Sequence, residues 1–211
     1  RESPGPGTIL SKDEVGAADS RPAGDGPLTW RFHSKDVRTV AFASSEAFIL
    51  DAASVGETLV QSVYPEDSLP VWGKSTAMLC AAIKGYNERW CPYPYPVATN
   101  VAGIEGGMEY PMIIFCSGRN KRNERGLYDV TTHEIGHNWF PMLINSDERQ
   151  WTWMDEGLNT YVQFLAEQSW EEDYPSRRGE ARDITAFMAS SNQRPIMTNS
   201  ESLRQFGSNG Y

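Results

Sequence analysis

The run HEIGH, from His133 to His137, limits what this chain can be more than any other feature. Residues four apart on a helix share one face, a turn apart, so both imidazoles can reach a single ion. Glu134 lies about 100° around the helix from His133, where it can act on a water without binding the metal. This is the H-E-x-x-H arrangement. Zinc accepts neutral imidazole nitrogen, and a catalytic zinc site uses three protein ligands with one position left open. The third candidate is Glu156, with eighteen residues between it and His137, in the segment WMDEGLNTY. Two packed helices can bring His133, His137 and Glu156 around one Zn2+ ion. The plainer alternative is a surface helix with two ordinary histidines, and the placement of Glu156 argues against it.

The flanking sequence supplies the elements. VWGKSTAMLCAAIKGYNERW reads as a helix with Met78, Leu79, Ala82, Ile83, Tyr86 and Trp90 on one apolar face. CPYPYPV stops it, because proline cannot continue a helix. PVATNVAGIEGGMEYPMIIFC reads as strands around a Gly-Gly break. A helix over Leu127–Phe140 carries the histidines and is ended by Pro141. Another runs from Trp153 to Gln168, where Thr152 and Asp155 match the S/T-x-x-D/E capping pattern and Leu158, Tyr161, Val162 and Leu165 form the buried face. TWRFHSKDVRTVAFASSEAFIL alternates apolar and polar residues and predicts two or three strands over Thr29–Leu50, with His33 as a half-exposed strand residue. Residues 1–28 are rich in Pro, Gly and Ser and read as irregular, with one short strand near Thr8–Leu10. From Glu171 onward short helices and loops are mixed.

Composition bounds the rest. With 211 residues, 39% hydrophobic and 11% aromatic, the chain can bury one substantial core. A formal net charge of -9 argues against nucleic acid or an anionic membrane as the main partner. No apolar run approaches the roughly 18 residues of a membrane span. Cys80, Cys91 and Cys116 lack metal-site spacing and allow one disulfide with a free thiol, or three free thiols. The chain opens on Arg1 rather than Met, which suggests a mature or excised fragment.

H-E-x-x-H, eighteen residues, then E inside a W-x-x-E-G segment resembles the gluzincin zinc aminopeptidases, the alanyl aminopeptidase and leukotriene-A4 hydrolase group. GGMEY, Gly106 to Tyr110, is similar to the G-x-M-E-N motif of the same family, in the right order and about two dozen residues upstream. The resemblance covers about Val37–Tyr211 and is strongest over Gly106–Tyr161. It implies an α+β, thermolysin-like zincin catalytic domain, a mixed sheet plus the H-E-x-x-H helix pair, preceded by remnant strands of a β-sandwich. The implied division is an irregular 1–28, the end of an upstream β-rich domain over 29–62, and a C-terminally truncated peptidase domain over 63–211.

The implied activity is hydrolysis of N-terminal peptide bonds, with Glu134 as general base. Glu109 would hold the free α-amino group of a peptide substrate, Gly106, Gly107 and Met108 would line its path, and Tyr211 would stabilise the oxyanion. Tyr110 departs from the family's Asn, which leaves strict aminopeptidase specificity less secure than zinc hydrolysis. Endopeptidase or epoxide hydrolase chemistry at the same site, or a non-catalytic zincin-like binding module, are the other readings. The sequence leaves the compartment open, and analogy with bacterial relatives leans towards periplasm or cell envelope.

Overall fold

The computed structural model describes residues 34–118 and 123–211. The strand expected near Thr8–Leu10 and the expected strand residue His33 lie outside the described residues. Strands β1 (Phe48–Val55) and β2 (Thr58–Pro65) form an antiparallel hairpin. Gly56 joins them at φ 58, the left-handed backbone that a tight hairpin turn requires. Along β2, buried and half-buried residues alternate, so Val60, Ser62 and Tyr64 face the core. Strand β3 (Val97–Gly103) runs parallel to β2 and to β5 (Ile113–Ser117). Strand β4 (Gly107–Tyr110) pairs antiparallel with β5 and forms the sheet edge, giving the order β1-β2-β3-β5-β4.

One expectation about the first third changes. Within the described residues no strand precedes Phe48, and the chain before it is irregular, with Val40 80% and Phe42 83% exposed. Alternation makes a strand only where a partner and an apolar face are available, and neither meets this segment. The hairpin belongs to the same five-stranded sheet as β3, β4 and β5, and positions 62 and 63 both lie in β2.

Helix α1 (Ser75–Arg89) connects β2 to β3 and buries Met78, Leu79, Ala82, Ile83 and Tyr86. Trp90 leaves that face because it has already left helical dihedrals, and it is 45% exposed. Helix α2 (Glu124–Gly136) begins three residues earlier than expected, since the Asn123 side chain caps it by accepting from the Gly126 N–H at 2.8 Å. It ends earlier too. His137 caps it, and a wider π-helical turn over Asn138–Leu143 follows, in which Phe140 is pushed to φ -130, ψ 107 ahead of Pro141. A second π-helical turn, Trp153–Gly157, leads into α3 (Leu158–Trp170).

Thr152 makes no side-chain cap; it is itself helical, and its N–H is spent on Ser200 Oγ. The face that α3 buries is only in part the expected apolar one: Val162 is buried, but Leu158 and Tyr161 are not. Asn159, Thr160, Val162, Ala166 and Glu167 are buried, while Leu158 is 36% and Tyr161 52% exposed. The reason is the neighbour: α3 packs against the histidine face of α2, and that face selects hydrogen-bonding groups. The C-terminal part contains α4 (Ala181–Met188), none of whose residues is buried, and the short α5 (Phe206–Asn209).

Gly136 permits the close crossing of α1, α2 and α3. A Cβ there would lie 2.3 Å from Asn159 Oδ1 and 2.8 Å from the Tyr86 hydroxyl. Both neighbours are tied, Asn159 to the His133 carbonyl at 2.8 Å and Tyr86 to the Thr132 carbonyl at 2.9 Å, so neither can yield cheaply. Gly136→Ala gains helix propensity of about 1 kcal/mol but is expected to lose about 1–3 kcal/mol to overpacking. The outcome is a net loss, seen as a lower urea midpoint at unchanged slope.

Candidate metal centre and cleft

Helix α2 presents His133, and the first residue past its end, His137, presents the second imidazole. Their Nε2 atoms lie 3.2 Å apart. The π-helical turn before α3 delivers Glu156, whose Oε2 lies 3.0 Å from His133 Nε2 and 3.4 Å from His137 Nε2. Three ligand atoms thus converge within 4.8 Å, as the HEIGH spacing and Glu156 predict.

The outer ring nitrogens settle which lone pairs face inward. His137 Nδ1 donates to the Phe140 carbonyl at 2.8 Å, with Asp155 Oδ1 off that axis at 3.0 Å. His133 Nδ1 lies 2.9 Å from Gln163 Oε1. The orientation of that amide is fixed, because Gln163 Nε2 donates to the Asp129 carbonyl at 3.1 Å and to Glu167 Oε1 at 2.6 Å. His133 Nδ1 is therefore placed to donate, and with a metal bound both rings would turn their Nε2 lone pairs towards the same point. Tetrahedral zinc with bonds of about 2.0–2.1 Å would hold two nitrogens roughly 3.3 Å apart, so this donor set fits zinc. Burial pushes the Glu156 carboxyl up, but bonds from both histidines outweigh it and hold the group at about 2.

Sequence position alone does not single out Gln163 as the partner of His133. Asn159 holds the His133 carbonyl, Asp155 flanks His137, and Gln163 orients His133. The signal was its position seven residues past Glu156, two helical turns along the same face. Asn138 was also missed. Its Oδ1 accepts from the Tyr93 hydroxyl and the Met112 N–H, each at 3.0 Å, which ties the end of α2 to the β4–β5 turn.

A cleft of about 380 Å³ opens beside the donors, lined by Gly106, Gly107, His133, Glu134 and Tyr211 among others. Gly107 presses on Glu134: a Cβ there would lie 2.0 Å from a Glu134 carboxylate oxygen and 2.9 Å from Val130. Glu109 is on the same strand but does not line this cleft. Its carboxyl approaches His137 and Asp155 within 4.8 Å. Burial raises its pKa, His137 lowers it, and Asp155 and Glu156 raise it again. Since His137 Nδ1 is committed to Phe140, this second cluster is not a separate metal site. Met108, next along β4, points the other way and lines a separate hollow of about 310 Å³ with Tyr110 and Phe115. Tyr211 reaches the centre, with its ring 5.5 Å from that of His133 and its hydroxyl bonded to Glu156. Cys80, Cys91 and Cys116 are all free thiols. Trp139, read as a packing residue, is 1% exposed against Tyr86 and Tyr93.

An α+β sheet carrying this helix pair has the fold of a zincin-type domain. The chain is similar in sequence to two aminopeptidases and in fold to an M1 zinc metallopeptidase. Aminopeptidase B from Rattus norvegicus is 38% identical over 58 residues, 28% of this chain and 9% of that protein. Leucine aminopeptidase 2 from Aspergillus fumigatus is 26% identical over 160 residues, 74% of this chain and 26% of that protein. The chain thus spans only a minor part of these relatives. The M1 zinc metallopeptidase from Deinococcus radiodurans shares the fold at TM-score 0.50 and 22% identity, over 67% of this chain and 31% of that one. A variant of that enzyme bound to the substrate Tyr-Ser-Ala aligns at TM-score 0.51 and 20% identity, over 72% of this chain and 35% of that one. No protein-family profile matches the chain.

Three outcomes follow from the geometry. Wild-type protein purified without added metal should carry about one zinc per chain by mass spectrometry, and Glu156→Ala should lose it. Gln163→Leu should keep the fold but weaken zinc binding about 10–100-fold in a competitive chelator titration. Gly107→Ala should displace Glu134 and lower kcat about 100-fold in steady-state assays, with zinc content unchanged.

Proposed function

We propose that this chain is the catalytic part of a zinc-dependent aminopeptidase that hydrolyses the N-terminal bond of peptides. The observation that carries the reading is a three-donor centre with two further carboxylates beside it, Glu134 in the cleft wall and Glu109 on the sheet edge. His133, His137 and Glu156 would hold the metal, which supplies Lewis acidity towards water and a carbonyl oxygen.

The chain's own residues perform the remaining tasks. Glu134 takes a proton from the attacking water and returns it to the leaving amine. Tyr211 donates its hydroxyl to the oxyanion that develops on the scissile carbonyl. Glu109, half-buried beside Asp155 and Glu156, lies in a region with more negative than positive charge, and a protonated α-amine would relieve that excess through a charge-assisted bond. Strand β4 is an edge, so an extended peptide can add to it alongside Gly106 and Gly107. Recognition of a free amine makes the site an exopeptidase rather than an endopeptidase.

Glu134→Gln should retain zinc, since Glu134 is not among the converging donors, while kcat falls at least about 1,000-fold. Wild-type enzyme should cleave a free-amine peptide and leave the N-acetylated form intact. Equal cleavage of both would point to endopeptidase chemistry. Zinc bound without turnover of either would point to a binding module.

A further inference from the structure

Tyr211 needs a holder. It follows a helix of only four residues, Phe206–Asn209, and a single turn of that length stabilises little by itself. What holds the ring is Arg178, whose guanidinium carbon lies 4.5 Å from the ring centroid. Its Nη2 also donates to the Gly207 carbonyl at 2.9 Å, in the turn just before the tyrosine. Phe206 completes the seat with an edge contact, centroids 5.8 Å apart at 85°. One flat cation therefore grips both the ring and the backbone that carries it, a geometry suited to arginine's planar fork and not to a lysine ammonium.

Arg178 is aimed by its neighbour. Gly179 adopts φ +118, and a Cβ there would lie 2.2 Å from the Phe164 ring on α3. Only glycine allows the chain to turn this tightly against α3, and the turn places Arg178 on the cleft wall.

The geometry points to Arg178 as a positioning residue that holds the Tyr211 hydroxyl at the reaction centre, with the Gly179 turn as its fixture. This rests on the reading of Tyr211 as hydroxyl donor in the proposed hydrolysis. Arg178 touches no reacting atom; it acts through the tyrosine.

The test is a cycle of Arg178→Ala and Tyr211→Phe in the full-length enzyme, on an aminoacyl p-nitroanilide, with Arg178→Lys as the conservative variant. Arg178→Ala should lower kcat about tenfold and leave KM within about threefold, because the lost contact matters only once the oxyanion forms. The same change made on Tyr211→Phe should cost nothing further, and Arg178→Lys should fall between wild type and alanine. Hydrogen–deuterium exchange supplies a readout independent of turnover: amides over residues 206–211 should exchange faster in Arg178→Ala. Equal losses of kcat with and without the Tyr211 hydroxyl would overturn the proposal, as would unchanged exchange with unchanged kcat. If Tyr211→Phe alone leaves kcat intact, the proposal falls together with the role of Tyr211. The metal centre, judged by zinc content and Glu134→Gln, would then still stand.

Discussion

Two imidazole rings brought edge to edge at one point do not stay there unaided, and much of this fold exists to keep them there. The Nε2 atoms of His133 and His137 stand 3.2 Å apart with a carboxylate oxygen beside them. Each ring is fixed from behind, by Gln163 on one side and by the Phe140 carbonyl on the other. Gln163 is in turn held by Asp129 and Glu167, and Glu167 also accepts from the Ser176 hydroxyl. This chain of bonds explains why α3 buries a polar stripe. Its function is to orient α2, and apolar residues there could not hold a tautomer.

The second constraint is proximity of backbone to catalyst. Strand β4 passes so close to α2 that Gly107 abuts the Glu134 carboxylate. Asn138 fixes this spacing by bonding both the β4–β5 turn and Tyr93. An extended peptide laid along β4 would therefore run past the Glu134 carboxylate at a set distance. Glu109 on the same strand would read the amine, while Met108 and Tyr110 turn to the opposite side. The alternation of one short edge strand thus divides reading from support.

The donor set was legible before the fold was known, because helical periodicity places i and i+4 together whatever surrounds them. The sheet strands near Gly106–Gly107 and the apolar face of α1 were legible for the same local reason. The buried face of α3 was not. Leu158, Tyr161 and Leu165 have the right spacing for a core face, but the neighbour of α3 is a metal centre, and no local pattern encodes a neighbour. The strands expected over Thr29–Leu50 failed on similar grounds, since alternation supplies a potential strand and pairing supplies the real one. Trp90 departed because the helix ended one residue short of it.

By itself, then, the sequence determined which atoms could bind a metal, which carboxylate could act as base, and roughly where helices and strands begin. These depend on residue type and on spacing along a helix, both local properties. Only the tertiary structure decided that Gln163 orients His133, that Asn138 and Gly107 set the distance between sheet and helix, and that Tyr211 returns to the centre under Arg178. Those are contacts between residues 26 to 78 positions apart. Closing such loops depends on how the whole chain packs, and no window of sequence contains that information.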